Sequence, residues 1–314
     1  MRKFRSAALG AALLALMVGA CTSGGSGAKN LAGTLVLGGP PECPQRPFCA
    51  KGLTDTYGIT FKEFKPLDTG GPITVAAVKG GQVDVGLLFT SDPAIAANGF
   101  VLLEDDKHLQ LADNIVPVLR QAVLDAHPEI LGLLNGVTAK LSQTELTNLN
   151  KAVAVDGQDP AEAATAWLTA NGFLPGKGGA SPPVGVIKIG AFDFPESETL
   201  GELYAQTLEA NGYEVDRKFP LGKREVVFPA LQKGEVDLIV EYAATALEYL
   251  DKGAGEATTD ATATVAKLAA RLKDLGVAAL QFATATDQNG FVVTKATADR
   301  YGLVKISDLT KPAP

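Results

Sequence analysis

One sequence element occurs twice in this chain, and it limits the possible fold more than any other feature. The stretch AVKGGQVDVGLLF at 77–89 aligns with ALQKGEVDLIVEY at 230–242, so that Asp84 falls on Asp237. In both copies a helical segment ends at a glycine and leads into Val-Asp and an apolar run, which is the pattern of a helix followed by a buried strand. A chain that contains this unit twice is expected to build two similar lobes.

The repeat extends beyond this element. The first copy reads as strand TLVLGG, helix CAKGLTDTYG, strand ITFKEF, helix GPITVAAVKGG and strand VDVGLLF, and the second copy follows the same order from VIKIGAF at 186–192. Such a β-α-β-α-β order predicts parallel strands flanked by helices. Between the copies, residues 114–155 have apolar residues at helical spacing, which predicts helices there. The sequence therefore predicts a two-lobed α/β fold, with a mixed sheet in each lobe and a ligand cleft between them.

The N-terminal residues predict export. Basic residues and a short apolar run, too brief to span a bilayer, lead to VGAC, which resembles a bacterial lipobox with Cys21 as the lipidated residue. We assign 1–20 to a signal peptide and 21–29 to a flexible tether. A plain signal peptide with a chance cysteine is the alternative. We expect an extracytoplasmic protein that is anchored by lipid on Cys21 to the outer face of the cell membrane.

Composition argues against several classes of function. A formal net charge of −7 disfavours nucleic acid or an anionic membrane surface as the partner. The sequence has only two histidines and no G-x-S-x-G, H-E-x-x-H or phosphate-loop motif, so we expect no catalysis, no cofactor and no metal. Cys43 and Cys49 form an even pair outside the cell, which predicts a local disulfide, with redox or metal chemistry as the alternative.

Candidate binding residues stand at the strand ends that would face the cleft. In open α/β sheets, ligands bind beyond the carboxyl ends of the strands, where helix N-termini offer free N–H groups. Asp84 and Asp237 come too early in their strands for this role, and we expect them to bind backbone groups. The residues that follow the predicted strands or precede the next helices are Gly39, Pro40, Phe89, Thr90 and Ser91 in one lobe and Asp193, Phe194, Arg224 and Tyr242 in the other.

Several of these stretches resemble a known family. IKIGAFDFPESETLGELY resembles the opening half of the osmoprotectant-type substrate-binding proteins of ABC importers, the glycine betaine/choline family of ProX- and OpuBC-like proteins. LVLGGPPECPQRPFC and VDVGLLFTSDPAI resemble its closing half, and the F-P-E-S and L-G-x-R-E variants resemble its actinobacterial branch. The resemblance implies a type II periplasmic-binding-protein-like fold and a monomer that delivers a small solute to an ABC permease subunit. A ligand sensor of the same fold and an extracellular enzyme on this scaffold are the alternatives.

The order of the two halves is reversed relative to the family, which resembles a circular permutation. Exposed loops and neighbouring termini tolerate such rewiring, and a rearranged gene whose product folds poorly is the alternative. The resemblance then implies that residues 174–185 link the usual C- and N-termini. It also implies that 119–290 form one lobe (lobe A) and that 30–118 plus 291–314 form the other (lobe B).

The resemblance also bears on the ligand. The family holds quaternary ammonium groups in an aromatic cage by cation–π attraction. Tyr242 matches the tyrosine of the family's P-E-Y motif. Asn289, Val75 and Asp113 stand where cage tyrosines are expected, so most of the cage is missing, and of these three the resemblance implies a ligand-binding role for Asn289. Arg224 stands where many relatives have threonine, and an exposed arginine would repel a cation. Glycine betaine, choline and a related polar compound without a quaternary ammonium therefore all stay open as the ligand.

Overall fold

The computed structural model describes residues 30–174 and 185–314. The predicted signal peptide and tether, and most of the predicted linker, lie outside these residues. The strands of the described chain, in order, are β1 Val36–Gly39, β2 Glu63–Pro66, β3 Val85–Phe89, β4 Phe100–Leu102, β5 Ile115–Arg120, β6 Ile187–Phe192, β7 Val215–Gly222, β8 Leu238–Tyr242, β9 Val277–Ala279 and β10 Asn289–Thr294.

Helices connect these strands and cover both faces of each sheet. Short 3₁₀ turns are found at Leu31–Thr34, Cys43–Gln45 and Ile306–Thr310. The α-helices, in order, are α1 Ala50–Tyr57, α2 Pro72–Lys79, α3 Ala94–Ala97, α4 Gln121–Ala126, α5 Ile130–Lys140, α6 Gln143–Ala154, α7 Pro160–Ala170, α8 Pro195–Ala210, α9 Arg224–Lys233, α10 Ala243–Asp251, α11 Ala261–Lys273 and α12 Lys295–Tyr301.

The two sheets have equivalent strand orders. One is β2-β1-β3-β10-β4 and the other is β7-β6-β8-β5-β9. In each, three parallel strands come from one copy of the repeat, and the antiparallel fourth strand (β10 or β5) comes from the chain that follows the other copy. The first sheet with its helices is lobe B, and the second is lobe A. The predicted two-lobed α/β fold with mixed sheets is therefore confirmed.

Each lobe has its own hydrophobic core. The buried apolar residues of lobe A lie between Ile115 and Ala285, whereas those of lobe B come from 31–109 and 291–309. The chain passes between the cores at two crossing segments, 110–114 and 286–288. These segments run side by side, because the Asp287 N–H donates to the Asp113 carbonyl oxygen at 3.1 Å. Two separate cores joined by a narrow paired connection are the arrangement that allows a cleft to open and close.

Three sequence predictions need correction. The helix predicted from residue 114 is wrong at its start, since Ile115–Arg120 is the buried strand β5 between β8 and β9. A strand covered on both faces shows no alternation of apolar and polar residues, so periodicity could not separate it from a helix. The second strand was predicted at 59–64 but covers Glu63–Pro66.

The third correction concerns the lobe boundaries. The boundaries predicted after residues 118 and 290 fall inside β5 and β10, each of which belongs whole to one sheet. A boundary inside a hydrogen-bonded strand would divide one sheet between two lobes. We therefore propose the crossing segments as the boundaries.

The repeated aspartates bind backbone groups, as predicted from the sequence. Asp84 Oδ2 accepts from the Val36 N–H at 2.9 Å, and Asp237 Oδ2 accepts from the Lys188 N–H at 2.9 Å. Each aspartate thus fastens the start of its own strand to the start of the first strand in the same copy. Asp237 also forms an ion pair with Arg120 Nη1 at 3.0 Å.

We expect Asp237→Ala to destabilise the protein more than Asp84→Ala. The first change leaves both the part-buried Lys188 N–H and the partly buried Arg120 guanidinium without their partner, at a cost of about 3 kcal/mol. The second removes a single hydrogen bond and should cost about 1 kcal/mol. Urea unfolding of both variants measures the difference. Equal losses would show that the Arg120 pair contributes nothing to stability.

Candidate functional site

A cavity of about 1140 Å³ lies between the two lobes. Its wall contains the ends of β3, β6 and β8, the first turns of α2, α8 and α9, and residues of both crossing segments. Val75 and Asp113 also line it. The predicted ligand-binding residues that line it are Pro40, Phe89, Ser91, Asp193, Phe194, Arg224, Tyr242 and Asn289.

Two predicted residues, Gly39 and Thr90, are not among the described residues that line the cavity. A Cβ on Gly39 would lie 3.4 Å from the Cβ of Leu87 and 3.8 Å from Cys43, so this glycine packs against the disulfide loop. Thr90 exchanges hydrogen bonds with Gln288 in the crossing segment, at 2.8 and 3.0 Å. The prediction that these two residues face the cleft is corrected, because neither lines the cavity.

Three aromatic rings of lobe A form one corner of the cavity. Phe192 ends β6 and Tyr242 ends β8, and because these strands are parallel neighbours their carboxyl ends meet at one edge of the sheet. Phe194 precedes the first turn of α8. The ring centroids are 5.9 Å apart for Phe192–Phe194, 6.1 Å for Phe194–Tyr242 and 6.5 Å for Phe192–Tyr242. We call these three residues the aromatic corner.

Lobe B adds aromatic surface with Phe48 and Phe89. Gly70 helps to place Phe89, since its φ of +68° suits glycine and the Phe89 ring lies 3.1 Å from where a Cβ would stand. The cavity therefore has rings on both lobes, although the positions aligned with cage tyrosines hold other residue types. The sequence predicts that most of the family's aromatic cage is missing. This holds at the aligned cage positions, but the cavity as a whole keeps aromatic surface.

The guanidinium of Arg224 is paired with a buried carboxylate. Its Nη2 lies 2.8 Å from Glu241 Oε2, its Nε lies 3.1 Å from the same oxygen, and Nη2 also donates to the Thr245 hydroxyl at 3.0 Å. The Glu241 side chain is 0% exposed and the Arg224 side chain is 21% exposed. Arg224 therefore brings no free positive charge to the cavity, and the expectation that it would repel a cation is corrected.

A cluster of hydrogen-bonded polar groups lies next to the aromatic corner. Ser91 Oγ is 2.8 Å from Glu196 Oε2 and 2.6 Å from Asp287 Oδ1, and Tyr242 donates its hydroxyl to Glu196 Oε1 at 2.6 Å. Asn150 donates to Glu196 Oε2 and, at 3.3 Å, to the Ser91 carbonyl oxygen. We call Ser91, Glu196 and Asp287 the carboxyl cluster. It joins lobe B, lobe A and a crossing segment at one point.

Burial changes the protonation of carboxyl groups in this region. It raises the pKa of Asp113 to about 7, against the hydrogen bond from the Thr245 N–H and the nearby charge of Arg224. It also raises the pKa of Glu196, and it raises the pKa of Asp287 well above its ordinary value.

The cavity wall contains more carboxyl groups than cations. The carboxyl groups are Glu42, Asp92, Asp113, Asp193, Glu196, Glu225 and Asp287, and the cations are Arg46, Lys79, Lys223 and Arg224.

The predicted disulfide is confirmed and shapes the wall of lobe B. Cys43 and Cys49 are bonded, with their Cα atoms 5.1 Å apart. The side-chain amide nitrogen of Asn289 is already engaged, because it donates to the Phe48 carbonyl oxygen at 3.1 Å. Gln110 Nε2 donates to the same oxygen at 3.0 Å. Asn289 therefore holds the disulfide loop that carries Phe48.

Sequence reasoning missed four residues of this site. Glu196 is the second residue of α8, so the rule that helix N-termini face the cleft could have found it. Phe48 stands inside the loop that the predicted disulfide closes. Asn150 and Asp287 carry no local signal, since one is in mid-helix and the other in a crossing segment.

Two further observations concern only the part of the chain that the structure describes. No three His, Cys, Asp or Glu side chains there are grouped so that they could hold a metal ion. None of the helices there combines the length and the apolar character that a membrane crossing requires.

A family model matches most of the sequence. The model describes the substrate-binding domain of ABC-type glycine betaine transport systems, and it matches residues 26–170 and 185–314. The chain belongs to this family. The family assignment accounts for two lobes around a cleft, since binding of a small solute is what such a domain performs.

Individual members of this glycine betaine substrate-binding family are similar to parts of the chain. The carnitine transport binding protein OpuCC of Listeria monocytogenes is 28% identical over 127 residues, which are 40% of this chain and 41% of that protein. The glycine betaine-binding protein YehZ of Escherichia coli is 28% identical over 146 residues, 45% of this chain and 48% of that protein. Each alignment thus spans less than half of the relative.

Solved structures are also similar to this family member. One is a glycine betaine/carnitine/choline ABC transporter structure, with 25% identity, a TM-score of 0.38, and coverage of 45% of this chain and 51% of that chain. Another is an ancestral arginine-binding protein bound to arginine, with 16% identity, a TM-score of 0.41, and coverage of 88% and 92%.

Proposed function

We propose that this protein binds a small trimethylammonium solute, such as glycine betaine, choline or carnitine, in the interlobe cavity. The observation that carries the proposal is the aromatic corner beside the carboxyl cluster. Stacked ring faces attract a quaternary ammonium group, which cannot donate a hydrogen bond and therefore needs apolar, electron-rich surface. The ionised member of the carboxyl cluster adds favourable charge.

The charge of the cavity supports a ligand with a positive group. Because Arg224 is neutralised by Glu241, it does not oppose a cation at the aromatic corner. Lys223 and Arg46 also line the cavity and could meet the carboxylate of a zwitterionic solute. The cavity exceeds the roughly 300–1000 Å³ of ordinary small-molecule pockets, so a solute of this size is expected to occupy the aromatic corner rather than the whole volume.

We further propose that the protein acts outside the cytoplasm and delivers its solute to an ABC permease subunit, without catalysis. Membership of a substrate-binding family and the lipobox-like sequence ending at Cys21 support this role. A circularly permuted order is supported by the curated alignments, which each span less than half of the chain, as expected if only one half can align in sequence. Uptake of labelled glycine betaine by cells with and without the protein tests delivery.

Calorimetry with matched ligand pairs tests the ligand class. We expect glycine betaine, choline or carnitine to bind at least about 30-fold more tightly than the tert-butyl analogue in which carbon replaces the ammonium nitrogen, because a desolvated cation–π contact is worth about 2 kcal/mol. The analogue has nearly the same shape and lacks only the charge. Equal affinity for both members of a pair would remove the cation from the proposal. If no trimethylammonium compound bound to a protein that melts cooperatively, the ligand class itself would be wrong.

A further inference from the structure

The carboxyl cluster contains too few hydrogens for two ionised carboxylates. Ser91 Oγ lies within hydrogen-bond distance of both Glu196 and Asp287, at 2.8 and 2.6 Å. A serine hydroxyl has a single hydrogen and can donate to only one of them. If both carboxylates were ionised, the second contact would set an oxygen lone pair against a charged oxygen. One of the two carboxyl groups must therefore carry a proton.

The hydrogen-bond partners indicate which carboxyl group is protonated. Glu196 already accepts from the Tyr242 hydroxyl on Oε1 and from the Asn150 amide on Oε2, so both of its oxygens have donors. It also lies in the first turn of α8, where the helix dipole favours a negative charge. Among the described residues, the Asp287 carboxyl is hydrogen-bonded to Ser91, through the serine hydroxyl and the serine backbone N–H. The proton is therefore best placed on Asp287, which donates to Ser91, which in turn donates to Glu196.

The charged surroundings of Asp287 agree with this placement. The groups near it are Glu196 from α8, Asp113 from the other crossing segment and the neutral Tyr242 from β8, while Asp92 of lobe B acts on Glu196. Burial and the charge of Glu196 raise the pKa of Asp287 well above its ordinary value and outweigh the hydrogen bonding from Ser91. Arg224, one of the cations of the cavity wall, is paired with Glu241.

We propose that Asp287 is a positioning residue that carries a proton in the folded protein and, through Ser91, fixes Glu196 beside the aromatic corner. The chain of donors from Asp287 to Ser91 to Glu196 ties a crossing segment, lobe B and lobe A together. It also leaves the cluster with one negative charge instead of two. The inference deepens the proposed function, and its ligand readout rests on that function.

A proton held at Asp287 makes stability depend on pH with a defined sign. In the unfolded chain Asp287 has the ordinary carboxyl pKa of about 4, and in the folded protein its pKa is raised. Between these two values the folded state binds the extra proton, so stability falls as pH rises above about 4. Asp287→Asn cannot lose a proton and should remove this dependence. Asp113, whose pKa is raised to about 7, titrates close to Asp287, so the two proteins are compared in an Asp113→Asn background.

Infrared spectroscopy and melting curves test the proton without any ligand. In an Asp113→Asn background, which removes the carboxyl whose pKa is about 7, we expect the carbonyl stretch of a protonated carboxyl at neutral pH. We expect this band to be lost when Asp287→Asn is added and kept when Glu196→Gln is added. In the same background, the melting temperature should fall with rising pH relative to the protein with Asp287→Asn added, while Asp299→Asn, at an exposed carboxyl of α12, should leave this dependence unchanged. If the band survived in Asp287→Asn and vanished in Glu196→Gln, the proton would belong to Glu196. Absence of the band from wild-type protein, or from the Asp113→Asn protein, at neutral pH would overturn the inference even if Asp287→Asn failed to fold.

Titration with glycine betaine tests the positioning role. We expect Asp287→Asn, whose amide can still donate to Ser91, to bind glycine betaine about as tightly as the wild type at a pH at which Asp287 is protonated. Asp287→Ala, which cannot donate to Ser91, should bind more weakly than Asp287→Asn at every pH. Equal affinities of these two variants would overturn the positioning role. If glycine betaine does not bind but the infrared and melting results are as expected, the proposed function fails while the protonated Asp287 stands.

Discussion

Replacing Glu241 with glutamine should lower the melting temperature by roughly 10 °C and weaken binding of a trimethylammonium solute by tenfold or more. Glu241 is 0% exposed and is the carboxylate partner of Arg224, so the change leaves a largely buried guanidinium without a counter-charge. Breaking a buried ion pair costs about 3–5 kcal/mol, and about 2–4 °C of melting temperature is lost per kcal/mol in domains of this size. Affinity should fall because Arg224 also lies 5.4 Å from the Phe192 ring centroid, where its uncompensated charge would oppose the ligand's cation.

The opposite change separates charge from packing. Arg224→Met should destabilise the protein by a similar amount, because Glu241 is then buried alone, but it should not weaken binding of a cation. The double variant Arg224→Met/Glu241→Leu should regain most of the lost stability, since an apolar pair needs no counter-charge. Differential scanning calorimetry and solute titration measure both effects. If both single variants lost affinity equally, the loss would reflect disturbed packing and not the charge at the aromatic corner.

The repeated sequence element was sufficient to predict the fold, because both of its copies obey the same local rules. The Val-Asp pair at Asp84 and Asp237 marks the start of equivalent strands, and in each copy the aspartate binds the first strand. The prediction that failed was the helix at the position of β5, a strand whose apolar residues are covered on both faces. Its place in the sheet of lobe A depends on pairing with β8 and β9, which are far away in sequence. Such pairing leaves no local pattern.

The sequence predicts the site residues that stand at strand ends. It does not predict the residues whose role depends on pairing with another side chain. The strand-end rule found Phe89, Phe194 and Tyr242, all of which line the cavity. It could not reveal that Arg224 is neutralised by Glu241, since a charge and its partner are separated by a helix in the sequence. It also could not find Asp287, whose role arises from contacts with residues 91 and 196. Ligand charge preference is decided by such pairs, so the sequence left it open.

A series at Tyr242 should give the largest loss of affinity. Tyr242→Ala removes a buried ring from the aromatic corner and the donor to Glu196, and we expect trimethylammonium binding to weaken by at least about 100-fold, since the cation–π contact and the apolar contact are lost together. Stability should fall by about 3–5 kcal/mol, as for other buried aromatic residues truncated to alanine. Calorimetric titration and urea unfolding measure the two losses.

Tyr242→Phe divides this effect between ring and hydroxyl. The ring stays in place, while Glu196 keeps Asn150 and Ser91 as donors and loses only the tyrosine hydroxyl, so stability should fall by about 1–3 kcal/mol and affinity by no more than about tenfold. Tyr249→Ala is the matched control. Tyr249 lies on α10 and packs against Phe228 of α9, and it is not among the described residues that line the cavity. It should lower stability and leave affinity unchanged. Tight solute binding by Tyr242→Ala would mean that the ligand is held elsewhere. If Tyr242→Phe bound the solute as weakly as Tyr242→Ala, the hydroxyl and Glu196, rather than the ring face, would recognise the solute.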